Sequence, residues 1–178
     1  MRVALDGPPA AEPDVLAAAL LEPLRALSRP AVHVRAASFW HDASLRLEHG
    51  REDVESYLSW LDAESLRREV LVAAVESGHY LPSLRDPVSN RSTRASTQAL
   101  SPDSVVLVSG ALLLGRGLPF DRVVELQLST AALLRRTARA ERWTLPAFES
   151  YAETVRPAEL ADVVIRPEQR TPAVCGLP

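Results

Sequence analysis

Glu12 and Asp14 flank Pro13 shortly after the first apolar stretch of the chain, two carboxylates two positions apart. Such a pair can act as general acid and general base when burial drives their pKa values apart. The plainer reading is a helix N-terminus, since proline suits the first helical position and acidic side chains its first turn. Arg135, Arg136, Arg139 and Arg142 form a second concentration of chemistry. Read as one helix over 130–142, it places 135, 139 and 142 on one face. Guanidinium forks suit bidentate recognition of carboxylate or phosphate, so Arg136 and Arg139 are ligand-binding candidates. A solvated face paired with Glu141 is the ordinary alternative. Asp86 and Arg91 are further candidates, although Asp86-Pro87 also starts a common turn. His33, His41, His49 and His79 lack metal-ligand spacing, and no metal site is expected. His33 lies in a strand pattern, where a satisfied core histidine is the expectation. Trp40, Tyr57, Trp60 and Trp143 read as core or cleft-wall residues. No serine or cysteine carries a nucleophile motif, and Cys175 reads as a bystander thiol.

The elements that must hold these residues follow from periodicity. Five short segments rich in Val, Leu and Ile read as buried parallel strands: 2–6, 31–36, 104–109, 122–128 and 162–166. Helical patterns lie between them, over 14–27, 62–76, 130–142 and 146–155. Pro23 is expected to kink or split the first helix. Asp62 is an acidic cap for the second, and Gly78 ends it. Residues 80–103, with Pro82, Pro87 and Pro102, read as a long loop or a hairpin. This alternation specifies an α/β fold, a mainly parallel sheet flanked by helices. The 178 residues, 47% of them apolar, fit a single domain over 1–170 and a proline-containing tail over 171–178. No apolar run is long enough to span a membrane, and the first residues lack a secretion-signal pattern, so a cytoplasmic protein is expected. A net charge of −3 gives no case for nucleic-acid binding. All 20 basic residues are arginine, a usage associated with high-GC bacterial genomes.

Residues 2–11, Arg-Val-Ala-Leu-Asp-Gly-Pro-Pro-Ala-Ala, run from an apolar strand into a small-residue turn. A phosphate-binding loop would continue Gly-Lys-Ser/Thr; this chain continues Glu12-Pro13-Asp14. Together with four later segments, the opening resembles the uridine kinase branch of the P-loop kinases. Those segments are Arg46–Glu69 (with Gly50-Arg51-Glu52-Asp53 and Tyr57), Tyr80–Asp86, Val106–Leu114, and the ending with Tyr151, Pro157 and Ala161-Asp162-Val163-Val164. The resemblance covers about residues 2–166. It implies a five-stranded parallel sheet in the order 2-3-1-4-5, numbering the strands along the chain, and it implies that Arg136 and Arg139 face the phosphate region.

The same resemblance marks positions where kinase chemistry is missing. The phosphate-gripping lysine is Pro13 and the magnesium hydroxyl is Asp14. The acidic residues expected before Phe39 are Ala37 and Ser38, the acid ending the third strand is Ser109, and the lid Arg-Asp pair is Arg139-Ala140. Proline removes a backbone donor. Each carboxylate at ~5 Å would repel a phosphate charge by ~3 kcal/mol at an effective dielectric of ~20. Phosphoryl transfer rests on positioned cations and a base. The expectation is therefore a catalytically degenerate nucleoside kinase-like protein with no cofactor and no ATP or magnesium binding. It would serve as a binding module for a small anionic or nucleoside-like ligand, or for a protein partner or second copy. The alternatives are a repurposed enzyme using Glu12 and Asp14 on a non-ATP substrate, and a weak nucleoside kinase with an unorthodox loop.

Overall fold

A computed structural model of the chain describes residues 1–167. The expected tail at 171–178, with Cys175, lies outside the described residues. Strands β1 (Arg2–Asp6), β2 (Ala31–Arg35), β5 (Val105–Gly110), β6 (Arg122–Leu126) and β7 (Val163–Ile165) form one parallel sheet ordered β2-β5-β1-β6-β7. That is the order the resemblance implied. The apolar run Val105–Val108 is at most 1% exposed because both faces of the sheet are covered. The segment at 80–103 contains a short antiparallel pair, β3 (His79–Tyr80) with β4 (Gln98–Ala99), so the hairpin reading holds.

Helix α1 (Pro13–Ala26) covers one face, packing on Val3, Leu5, Val105, Leu107 and Leu126. It runs unbroken through Pro23, contrary to the expected split. Pro23 removes the N–H that would donate to Ala19 O, but Ala19 is exposed, so that carbonyl faces the solvent side, and Pro23's own carbonyl still accepts from Leu27 N at 3.2 Å. The other face carries the larger core. There lie the short helices α2 (Ala43–Arg46) and α3 (Val54–Leu58), and a stretch of α4 (Ala63–Leu66), a π-helical turn (Arg67–Val72) and α5 (Ala73–Glu76). Asp62 caps that stretch by accepting from Ser65 N at 2.9 Å, as its position predicted.

The arginine-rich segment departs from expectation. Helix α6 ends at Arg136 (Thr130–Arg136), and Thr137 and Ala138 turn extended, with ψ of 124° and 144°. A 3₁₀ turn (Arg139–Thr144) then leads into α7 (Leu145–Thr154) and α8 (Pro157–Leu160). The shared face of Arg135, Arg139 and Arg142 therefore does not exist. The break redirects the chain so that Trp143, Thr144, Ala147 and Phe148 reach the core instead of solvent.

Gly110 ends strand β5 against the 3₁₀ turn at Ala36–Phe39. Its φ is +156°, and an added Cβ would meet the Ala36 Cβ at 2.7 Å. Gly110→Ala is expected to destabilise the protein by about 1–3 kcal/mol in chemical denaturation, the usual cost of overpacking.

Candidate functional site

The first turn uses up its own donors. Gly7 N donates to Gly110 O (3.0 Å), Ala11 N to Pro8 O (2.8 Å) and Glu12 N to Pro9 O (3.0 Å). Pro8, Pro9 and Pro13 have no N–H to give. Residues 9–11 form a 3₁₀ turn, Glu12 takes the left-handed conformation (φ 59°), and Pro13 opens α1. Pro13 thus occupies the first helical position, with Asp14 in the first turn. An anion cradle needs successive N–H groups converging on one point. Here most are deleted or committed to carbonyls.

Beside this turn lies an open cleft of about 330 Å³. Its floor includes Glu12, Pro13, Asp14, Ala37 and Ser109; its wall includes Trp40, Tyr57 and Trp60. The aromatic wall is one edge-packed cluster. Trp40–Trp60 centroids are 5.2 Å apart, Tyr57–Trp60 4.8 Å and Tyr57–Trp143 5.4 Å. Arg46, buried behind it, lies 4.7 Å over Trp60 and donates Nε to His41 O at 2.9 Å. That brace fixes the indoles from the rear. Burial pushes the Tyr57 hydroxyl up to about 12, with Glu141 adding to the rise, so it stays a neutral phenol.

Asp14 does not stand free. Ser109 Oγ donates to Asp14 Oδ1, and His33 Nε2 lies 2.6 Å from the same Oγ. A serine has one proton; spent on Asp14, it leaves His33 Nε2–H as the donor into Oγ. Burial pushes the His33 pKa down, opposed by Asp14 and reinforced by Arg35. The histidine is thus a satisfied, partly buried residue, as expected on its strand, but it ends a chain that sequence reading did not foresee. Relative to the resemblance, the hydroxyl and the carboxylate have changed places: position 14 carries the acid and position 109 the hydroxyl.

Basic groups contribute little to the cleft. Among the described residues Arg116 is the only basic residue lining it, and its guanidinium is held by the carbonyls of Leu112 (2.6 Å) and Leu58. Arg136 and Arg139 are exposed and line neither this cleft nor the cavity beside α7. Among the described residues no ion pair joins them to Glu12 or Asp14. Asp86 accepts from Ser89 N (2.6 Å) and Ser89 Oγ (2.7 Å), which is turn chemistry, and Arg91 is exposed. Ser38 is buried, and its carbonyl accepts from Leu84 N and Arg85 N. Ala140 is exposed. Glu12 is exposed and Asp14 half-buried, so the two are not a buried carboxylate pair. Among the described residues no group of three or more His, Cys, Asp or Glu is placed to hold a metal, and no helix is long and apolar enough to cross a membrane.

The deepest polar group is one that sequence reading missed. Asp6, fully buried at the end of β1, accepts from Leu113 N (3.0 Å) and Tyr151 OH (2.6 Å), and it shares a hydrogen bond with Glu125. Tyr151 in turn accepts from Leu114 N at 2.8 Å. Burial raises both carboxyls, Glu125 to about 9, so one proton is held between them. A charged residue inside the apolar run Val-Val-Glu-Leu was the available signal.

A five-stranded parallel sheet in this order, with a first turn opening directly into α1, is the architecture of the P-loop kinases. More narrowly, the fold is uridine kinase-like. A possible uridine kinase from Bacillus stearothermophilus superposes with a TM-score of 0.76 at 22% identity, over 92% of this chain and 87% of that one. A candidate fructose transport system kinase from Silicibacter sp. TM1040 gives 0.58 at 21% identity, over 92% and 88%. The YGR205w protein gives 0.51 at 9% identity, over 90% and 77%. No family model matches the sequence, and no curated protein does.

The shared proton makes a pH prediction. Glu125 has a folded-state pKa of about 9, above its ordinary 4.5, so its contribution to stability is full below 4.5 and is lost as pH rises through 9. Glu125→Gln keeps a donor toward Asp6 and removes this titration. Urea denaturation across that window should show stability declining with pH in the parent protein and a flatter profile in the variant.

Proposed function

We propose that this protein is a uridine kinase-fold protein that no longer transfers phosphoryl groups and binds a small, uncharged, nucleoside-like ligand in its open cleft. The observation that carries the reading is the first turn. Three prolines and three amides bonded to backbone carbonyls leave, among residues 7–14, only the Ala10 and Asp14 N–H groups for an anion, while Glu12 and Asp14 put negative charge where phosphate would sit. Turnover would also need a base and a metal-organising acid. The corresponding positions are Ala37, Ser38 and Ser109, and the Ser109 hydroxyl is engaged from both sides, by His33 and Asp14.

What remains suits a ring carrying hydroxyls. Trp40, Tyr57 and Trp60 offer aromatic surface to a base, and carboxylates on the floor accept from ribose hydroxyls. The similarity to the possible uridine kinase from Bacillus stearothermophilus makes uridine the first ligand to try. This narrows the earlier expectation of an anionic or nucleoside-like ligand to the uncharged one, because the exposed lid arginines stand away from the cleft and Arg116 is spent on carbonyls.

A second reading, an acid–base enzyme acting on a non-nucleotide substrate, is favoured by the Asp14–Ser109–His33 chain. It anchors one oxygen of a cleft carboxylate and connects it to a titratable ring. Chemical change in a nucleoside incubated with the protein, abolished by Asp14→Asn, would favour that reading over simple binding.

Thermal unfolding tests the main proposal. Uridine in large excess should raise the melting temperature, since a ligand at 100 times its Kd adds about 2.7 kcal/mol. Millimolar Mg-ATP should leave it unchanged, with or without EDTA. Trp40→Ala should weaken uridine binding about tenfold or more, the usual loss when a base–aromatic contact is removed. A large EDTA-reversible shift with Mg-ATP would overturn the proposal.

A further inference from the structure

Glu125 has a buried oxygen without a use in the cleft. The residue is 5% exposed, and among the described residues its Oε2 has no hydrogen-bond partner. Its hydrogen bond to Asp6 explains why. Asp6 already receives donors from Leu113 and Tyr151, and so acts as the carboxylate of the pair; Glu125 carries the shared proton and donates it to Asp6. The remaining Oε2 is then carbonyl-like, an acceptor in need of a donor. Buried acceptors in folded proteins are nearly always satisfied, so an unsatisfied one calls for a partner.

Glu125 lines a second cavity of about 360 Å³, within the range of small-molecule sites. This cavity lies beside β6, α7 and α8 and shares only Gly7 and Leu112 with the cleft. Leu128, Leu133, Phe148 and Ala152 make its walls apolar. Its charged rim residues, Arg156 and Glu159, pair with each other at 3.3 Å, and Gln127 Oε1 accepts from Arg166 Nε at 2.9 Å. Among the described residues the lining therefore offers no unpaired charged side chain to recruit an ion. The terminal torsion of a glutamate is broad, so a small turn of the carboxyl brings Oε2 to the cavity wall.

We propose that this second cavity binds a small uncharged molecule with an apolar body, which donates one N–H or O–H to Glu125 Oε2. Among the described residues, Leu112, held in a left-handed conformation (φ 60°), and Gly7 are the only walls common to both sites. Occupancy here is therefore separable from occupancy of the cleft.

Benzamide and N,N-dimethylbenzamide form a matched pair of probes: similar ring and carbonyl, with and without N–H. Saturation-transfer NMR titrations of the full chain should show benzamide binding at least fivefold more tightly. Glu125→Gln, which keeps a carbonyl acceptor, should preserve that preference; Glu125→Met should erase it. Leu133→Trp, which fills the cavity, should abolish binding of both probes, and Trp40→Ala in the cleft should leave binding unchanged. Should Glu125→Met fail to fold, the Gln and Leu133→Trp variants still decide the matter. The proposal is overturned if benzamide does not bind, if both probes bind equally to the parent protein, or if binding survives Leu133→Trp. Loss of binding in Trp40→Ala would assign the probe to the cleft and overturn it equally.

Discussion

A carboxyl group buried at the end of the central strand organises the carboxyl-terminal end of the parallel sheet. Asp6 ties together three segments far apart in sequence: the turn after β5 through Leu113, helix α7 through Tyr151, and β6 through Glu125. Burying a carboxylate is expensive unless every lone pair is met. The protein meets that cost with a backbone amide, a phenol and a second carboxyl that retains its proton. The tyrosine also satisfies Leu114 N, so the turn at 111–114 is held from two directions. That turn and the first turn form the partition between cleft and second cavity. Both sites thus take their shape from one proton-sharing pair.

The first turn keeps the strand, turn and helix geometry of a phosphate loop on a different set of residues. Strand, tight turn and helix remain in place because the requirements of the sheet do not depend on phosphate. The donors are another matter: prolines delete some, and the 3₁₀ turn spends others on carbonyls. Across the cleft floor, the Asp14–Ser109 hydrogen bond joins a carboxylate and a hydroxyl directly, with His33 completing the serine's contacts. A pair that satisfies itself in this way has less to offer a metal ion. The aromatic wall keeps its packing and is braced by Arg46.

Much of the fold was legible because its signals are local. Short runs such as Val105–Val108 can only be buried strands, and Asp62 and Pro13 mark helix starts by chemistry that needs no tertiary context. What escaped reading is what depends on distant partners. Asp6 and Tyr151 are 145 positions apart, so neither residue announces the other. The break after Arg136 was invisible because Arg, Ala and Glu favour helix there. Packing of Trp143 and Phe148 against the Tyr57 cluster overrides that preference. Pro23 misled in the opposite sense, since the one carbonyl it leaves without a helical donor belongs to exposed Ala19 and the helix continues to Ala26. For the site, the departure of Glu12, Pro13 and Asp14 from a phosphate-loop sequence was readable directly, whereas the His33–Ser109–Asp14 chain joins three elements and has no sequence pattern.

The central claim is that the first turn cannot cradle an anion, and its own amides report on that directly. A ¹⁵N-labelled sample titrated with inorganic pyrophosphate, with and without magnesium, reads the N–H groups of Ala10, Ala11, Glu12 and Asp14 one by one. This account predicts that their resonances stay in place up to millimolar pyrophosphate, at constant ionic strength. Saturable shifts concentrated on those four amides would show a working phosphate loop and contradict it.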